Sequence, residues 1–279
     1  MIFKIQAGKE VLYKYKLRLK MLQAIRLWRS YLVTKSDGIQ KPLSLPSLTN
    51  TLHPMSKRSF KISVSPEIGK VSAELVAPDK PICVMTFAHG AGAGMDHSFM
   101  VDMANTLAES GVATLRFNFP FKENKKGRPD SPAVAQKTID AAVEKAHELF
   151  PNLPLFVSGK SFGGRMSSQY LSTHPLREIK GIIFFGFPLH ASGKPSIDRA
   201  EHLKQVKVPM LFLQGTRDEL ASFDLIKQVC SSLKLATLVE IPGANHAFKA
   251  GKLDTISLLV NSSKSWIEKI VENVKQVHN

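Results

Sequence analysis

Ser161 lies between Gly159 and Gly163 in a Gly-x-Ser-x-Gly motif, a spacing that can present a serine for nucleophilic attack. Residues 155–158 before the motif have strand character, and a helical pattern follows over residues 165–174. A strand that turns sharply into a helix strains the corner residue and lifts its side chain clear of the sheet. The two glycines are expected there because a Cβ would collide with neighbouring backbone. Without the strand and the helix, the motif would indicate only a glycine-rich turn.

A serine hydroxyl needs a base to accept its proton and an acid to orient that base. Two downstream residues have the required types: Asp218 follows the strand predicted at 209–214, and His246 follows a strand that ends at Ile241. Taken alone, Asp218 would be interpreted as a loop-capping carboxylate and His246 as a hydrogen-bonded surface histidine. Residue type, order along the chain and position after strand ends together predict a triad of Ser161, Asp218 and His246.

A glycine-rich loop at residues 89–94 follows an apolar strand and can approach a reacting carbonyl closely. The amides near Gly90 and Ala91, together with the amide of Phe162 at the start of the next helix, are the expected oxyanion donors. His89 is expected to hold this loop, because it precedes the nucleophile in the chain. A phosphate cradle is the alternative, but the loop matches neither Gly-Lys-Ser/Thr nor Gly-x-Gly-x-x-Gly spacing.

Basic side chains cluster near the predicted mouth of the site. His89, Lys160 and Arg165 are candidate substrate-binding residues. Lys160, Arg165, Arg116 and the basic run at 122–128 would attract an acidic acyl substrate. The alternative is that Arg116 and Arg165 are buried partners that hold loops together. The basic run at 122–128 is interpreted as a solvated face.

The hydrophobic pattern predicts an α/β fold. Residues 60–65 and 71–76 alternate apolar and polar positions, which predicts an antiparallel hairpin. After the hairpin, short apolar runs alternate with helical patterns, as expected for a mostly parallel, doubly wound sheet with helices on both faces. Ligands of such sheets bind beyond the carboxyl ends of the strands, where each candidate residue falls.

Five segments resemble a family of small α/β-hydrolases related to dienelactone hydrolases and to the hydrolase-like domain of certain chromatin-complex subunits. The segments are His89–Asp96, Arg116–Pro120, Gly159–Arg165, Gly186–His190 and Gln214–Asp218. The resemblance covers roughly residues 60–275 and implies an α/β-hydrolase fold without a large lid domain. It also implies a Ser161–Asp218–His246 triad. Dienelactone hydrolases use a cysteine nucleophile, whereas this chain has Ser161, so the resemblance implies a hydrolase more firmly than it implies a lactone substrate.

Residues 1–55 differ in composition from the rest and are predicted to be a basic extension and linker before a hydrolase domain at 56–279. Residues 11–33 mix apolar and basic positions at helical spacing, which is typical of an amphipathic helix that contacts a membrane surface. An organellar transit peptide and an extension without a folded role are the alternatives. The sequence contains neither a secretory signal pattern nor a run of 18 apolar residues.

The formal net charge of +15 is concentrated at the amino terminus, where residues 1–60 hold twelve Lys and Arg against two acids. The remainder is only mildly basic, so no nucleic-acid partner is expected. The two cysteines, Cys83 and Cys230, are expected to be reduced core residues. We expect no metal and no cofactor. The expected location is cytoplasmic, with an organelle as the alternative.

Two functions fit these patterns. The first is a serine hydrolase that cleaves a small ester, thioester or related acyl substrate through an acyl-enzyme intermediate. The second is a catalytically silent binding or assembly module on the same fold, since a fold does not fix a function. The oligomeric state is left open by the sequence.

Overall fold

The computed structural model describes residues 55–175 and 178–277. This part of the chain contains eight strands and six α-helices, which alternate for the most part after β3. The strands are β1 (Met55–Ser65), β2 (Gly69–Pro78), β3 (Cys83–Ala88), β4 (Val112–Phe117), β5 (Leu155–Lys160), β6 (Ile179–Phe185), β7 (Met210–Gly215) and β8 (Ala236–Ile241). The α-helices are α1 (Ser98–Glu109), α2 (Pro120–Glu123), α3 (Pro132–Leu149), α4 (Phe162–Thr173), α5 (Phe223–Ser232) and α6 (Thr255–Val277), and a 3-10 helix spans Asp198–Gln205.

All eight strands form one open sheet in the order β1-β2-β4-β3-β5-β6-β7-β8. β1 pairs with β2, and β2 with β4, in antiparallel fashion, whereas every other neighbouring pair is parallel. The predicted hairpin and the mostly parallel, doubly wound sheet are therefore confirmed. The carboxyl ends of β5, β7 and β8 all reach the same edge, because these strands run in one direction.

Alternation along the central strands divides the apolar side chains between two faces. Met85 and Phe87 of β3 join a cluster with α1 and α6, whereas Val84 and Ala88 join the cluster that contains α3 and α4. Each large apolar side chain that becomes fully buried contributes about 1.5–3 kcal/mol to folding. Both faces of the sheet are thus covered, which keeps the strand ends that carry the candidate residues in fixed positions.

The boundaries depart from the sequence prediction in several places. β1 begins at Met55 rather than at residue 60, so it extends into the segment predicted as a linker. The helix after Ser161 begins at Phe162 rather than at Arg165, because Gly163 and Gly164 weaken the helical pattern in its first turn. No helix was predicted over residues 120–123, where the structure has the short helix α2. The 3-10 helix was not predicted, since its sequence is largely polar and buries only Ala200 and Leu203.

Cys83 and Cys230 are free and buried, as expected for reduced core cysteines. Among the described residues, no helix combines the length and the apolar character needed to cross a bilayer. The basic segment predicted to form an amphipathic helix at 11–33 lies outside the described residues, and its role stays a prediction.

Glu123 of α2 connects this helix to the hairpin. Its carboxylate accepts hydrogen bonds from the Ser72 amide (3.0 Å), the Ser72 hydroxyl (3.0 Å) and the Asn118 amide group (3.3 Å), and it pairs with Lys61. Burial of the carboxyl acts to raise its pKa, but these donors outweigh burial and lower the pKa of Glu123 to about 2.

We expect Glu123→Gln to reduce the free energy of unfolding at neutral pH and to change its pH dependence. The folded-state pKa of Glu123 lies below the unfolded value, so its stabilisation is complete above about pH 4.5 and disappears as the pH falls toward about 2. Urea unfolding at several pH values should show the difference between wild type and variant shrinking over that range. Glu109→Gln, at an exposed position, is the control, and a difference that does not depend on pH would contradict this assignment.

Candidate active site

Ser161 occupies the corner between β5 and α4. Its backbone has φ 51° and ψ −115°, a left-handed conformation that is rare for residues other than glycine. Such a conformation costs about 1–3 kcal/mol and persists only where the surrounding structure fixes it. Here the Ser161 amide donates to the carbonyl of Phe185 (3.2 Å), and its own carbonyl accepts from the amide of Arg165 (3.1 Å).

The two flanking glycines leave room for this turn. A Cβ on Gly159 would lie 2.3 Å from the backbone nitrogen of Gly164, and a Cβ on Gly163 would lie 2.4 Å from the carbonyl oxygen of Ala88. Both distances are far below van der Waals contact with backbone atoms, which cannot move aside. The steric reason predicted for these glycines is therefore seen in the structure.

The structure brings Ser161, His246 and Asp218 together in one hydrogen-bonded chain. The Nε2 atom of His246 lies 2.8 Å from the Ser161 Oγ, and its Nδ1 lies 2.8 Å and 3.0 Å from the two carboxylate oxygens of Asp218. The Asp218 side chain is 1% exposed and that of His246 is 15% exposed. A buried carboxylate on Nδ1 holds the imidazole with Nε2 free to accept a proton from the serine.

Asp218 is fixed by two further donors. The side-chain amide of Gln214 donates to Oδ2 at 2.6 Å, and the amide of Leu220 donates to Oδ1 at 2.8 Å. Gln214 is fully buried, and its Oε1 accepts from the amide of Phe187 at 2.9 Å. Sequence reasoning did not assign a role to Gln214. The available signal was a polar residue at the end of an otherwise apolar strand.

His89 holds the glycine-rich loop from below and lies outside the pocket. Its Nδ1 donates to the carbonyl of Gly90 (2.8 Å), and its Nε2 accepts from the amide of Phe119 (3.0 Å). The rings of Phe119 and Phe121 pack against it edge to face. Burial lowers the pKa of His89 to about 4, with a further effect from Lys122. The imidazole is thus neutral, and the structure places it as a support for the loop rather than as a contact for substrate.

The loop that carries two of the expected oxyanion donors lies against the serine. A Cβ on Gly90 would lie 3.6 Å from the Cβ of Ser161, so this part of the loop is in close contact with that residue. The amides of Gly90 and Ala91 donate to no acceptor in the described part of the chain. The Phe162 amide opens α4 and has no partner one turn earlier in that helix.

A pocket of about 410 Å³ opens beside the serine. It is lined by Gly90, Ala91, Gly92, Ala93, His97, Phe99, Met100, Lys160, Ser161, Leu220, His246 and Ala247. Most of these side chains are apolar, and none is a carboxylate. The pocket is large enough for a small acyl group next to the Ser161 hydroxyl.

The candidate basic residues occupy different places. Lys160 lines the pocket, and its Nζ donates to the backbone carbonyl of His246 at 2.6 Å. Arg165 does not line the pocket; burial lowers its pKa, and the charge of Arg199 acts in the same direction. Arg116 is buried, donates to the carbonyl of Met95 at 2.5 Å and pairs with Glu74. Arg116 is therefore a buried residue that holds the loop of Met95 in place.

No group of His, Cys, Asp and Glu side chains within residues 55–175 and 178–277 is arranged to hold a metal ion.

The sequence model of the family described as "Alpha/beta hydrolase domain" matches residues 81–276, and the chain therefore belongs to this family. The match includes β3 to β8 and every residue of the site described above. The expected fold and the expected relation to α/β-hydrolases are confirmed, whereas the relation to chromatin-complex subunits stays a prediction.

Two Mycobacterium tuberculosis proteins, from two strains, are 26% identical to this chain over 195 residues. The match covers 68% of this chain and 42% of each relative, so the chain spans about two fifths of their length. Both relatives are provisionally named phosphoribosyl transferases.

Solved structures share the fold. A dienelactone hydrolase from Anabaena variabilis superposes with a TM-score of 0.63 at 19% identity and covers 78% of this chain and 99% of its own. A serine hydrolase without a lid from Xanthomonas campestris gives a TM-score of 0.60 at 22% identity, with 77% and 97% covered. Identities at this level show a common fold.

We expect Gly163→Ala to destabilise the protein strongly, because the new Cβ would overlap the carbonyl of Ala88. Overpacking against backbone costs about 1–3 kcal/mol or more. Gly92→Ala is the matched control, since a Cβ there meets nothing within 4 Å. Thermal unfolding should show a lower Tm for Gly163→Ala and little change for Gly92→Ala. Equal Tm values for the two variants would contradict the packing described here.

Proposed function

We propose that this protein is a serine hydrolase that cleaves a small ester, thioester or related acyl substrate. The observation that carries the proposal is the continuous chain from the Ser161 Oγ through the His246 imidazole to the Asp218 carboxylate, with both links at 2.8 Å. These distances lie within the range that proton transfer requires. The strained backbone of Ser161 supports the same assignment, because strain of this kind concentrates at functional sites.

In the proposed reaction, the Ser161 Oγ attacks the acyl carbon while its proton passes to the Nε2 of His246. The carbonyl oxygen becomes an oxyanion and accepts hydrogen bonds from the amide of Phe162 and from an amide at Gly90 or Ala91. The bond to the leaving alcohol or thiol then breaks, and His246 returns the proton to that group. A water molecule, deprotonated by His246, releases the carboxylic acid and restores Ser161.

The pocket supports an apolar acyl group as the substrate class. Phe99, Met100 and Leu220 line it, and no carboxylate does. An uncharged acyl chain can therefore be buried there without leaving a carboxylate unpaired. The fold neighbour from Anabaena variabilis is a dienelactone hydrolase. Hydrolysis of a carboxylic ester bond is consistent with that likeness, although the nucleophile here is a serine.

Ser161→Ala should lower the rate of hydrolysis of a short-chain nitrophenyl ester by about 10³-fold or more, because the attacking oxygen is lost. The same variant should lose covalent labelling by a fluorophosphonate probe. Ser192→Ala, at an exposed position in the loop after β6, is the control and should be labelled like wild type. Folded wild-type protein that fails to react at Ser161 would instead favour a catalytically silent module.

Asp218→Asn should lower kcat by roughly 10³- to 10⁴-fold with little loss of folded protein, because an amide of the same shape stabilises the wrong tautomer of His246. Steady-state hydrolysis of the same ester measures the effect, and circular dichroism checks the fold. A kcat within tenfold of wild type would show that Asp218 does not orient the imidazole.

A further inference from the structure

Lys160 connects the strand of the nucleophile to the loop of the histidine. It is the last residue of β5, directly before Ser161, and its Nζ donates to the backbone carbonyl of His246 at 2.6 Å. The two residues are separated by 86 positions in the chain. This contact therefore ties the segment that carries the serine to the loop that carries the imidazole.

The peptide of His246 is held at both of its ends. Its carbonyl accepts from Lys160, and its amide donates to the Oε2 of Glu219 at 3.2 Å. Lys160 is the neighbour of Ser161 in the sequence, and Glu219 is the neighbour of Asp218. The imidazole must reach Ser161 and Asp218. The residue next to each of them in the sequence thus holds the backbone of His246.

The histidine loop needs such support because it contains no helix or strand between β8 and α6. Inside the loop, the Asn245 side chain accepts from the amides of Ala247 (3.1 Å) and Lys249 (2.9 Å). Phe248 has φ 59°, which is strained for an aromatic residue. Contacts from outside the loop must therefore maintain its conformation.

The Lys160 ammonium is placed among charged and aromatic groups. A Cβ on Gly186 would lie 3.2 Å from the Nζ of Lys160, 3.5 Å from the Oδ2 of Asp218 and 3.7 Å from the Cε1 of His246. These three groups therefore surround one point, and the hydrogen of a glycine leaves room for them. The ring of Phe248 lies 5.1 Å from the Nζ, within the range of a cation–π contact.

We propose that Lys160 is a positioning residue, whose ammonium group fixes the backbone of His246 so that the imidazole faces both Ser161 and Asp218. The proposal rests on the serine hydrolase function proposed above. It assigns to Lys160 a task different from substrate binding, because its polar atom is directed to the carbonyl of the histidine.

A pH effect follows from this position. Burial lowers the pKa of Lys160 to about 8, although the charges of Asp218 and Glu219 act to raise it. The titratable groups that face the Nζ are Asp218, Glu219 and His246, and His97 lines the same pocket. Above about pH 8 the side chain loses its charge, and the hydrogen bond to the carbonyl becomes a weaker, neutral one.

The test is the second-order rate of fluorophosphonate labelling of the full chain between pH 6 and pH 10. We expect the wild-type rate to fall above about pH 8. Lys160→Met should be labelled about 10- to 100-fold more slowly at pH 7, because small displacements of a catalytic group have effects of this size. Its remaining rate should show no fall near pH 8. Lys160→Arg, which stays charged, should recover part of the rate and also lack that fall.

Lys249→Met is the matched control, since its side chain is exposed on the same loop, and it should react like wild type. Glu219→Ala provides a second variant that removes the other support of the His246 peptide, and it should also slow labelling. A wild-type rate that stays flat to pH 10, or rates for Lys160→Met and Glu219→Ala within twofold of wild type, would overturn the proposal. In either case the proposed function stands if Ser161→Ala abolishes labelling. If wild type is not labelled at Ser161, the proposed function and this inference fail together.

Discussion

The hydrogen bond between His246 and Ser161 depends on parallel strands that end at the same edge of the sheet. The two residues are 85 positions apart in the chain, yet their side chains meet at 2.8 Å. This is possible because β5 and β8 run in the same direction, with β6 and β7 between them. The apolar clusters on both faces of the sheet hold these strands in register. The packing that stabilises the fold is thus also what sets the geometry of the site.

Sequence patterns were sufficient for the fold and for the residues that meet at the edge. Alternating apolar and polar positions predicted the hairpin. The order of Ser161, Asp218 and His246, together with their positions after predicted strand ends, indicated that the three residues meet. The direction of each side chain could not be predicted from the sequence, because it depends on backbone angles and on neighbours from distant segments. Gln214 illustrates this: a buried amide must find partners, but only the structure shows that they are Asp218 and the amide of Phe187.

The basic residues also show that the sequence does not reveal which groups a polar side chain contacts. Sequence reasoning grouped His89, Lys160 and Arg165 as candidate contacts for substrate, because all three lie near strand ends. In the structure only Lys160 lines the pocket, and its Nζ is bonded to the protein itself. His89 is buried beneath the glycine-rich loop with both nitrogens occupied. A buried polar group is costly unless it is paired, so polar residues close to a site often support the groups that act.

The turn at Ser161 has a consequence for how this scaffold can diversify. Its shape is set by hydrogen atoms on Gly159 and Gly163, where even a methyl group would overlap backbone. The corner side chain itself faces the pocket and the imidazole of His246, and a cysteine differs from a serine there by one atom. The shape of the turn therefore does not depend on which atom the corner side chain carries, whereas a side chain at either flanking glycine would require the backbone to shift. A substitution at the corner can thus change the attacking atom while the turn that presents it stays the same.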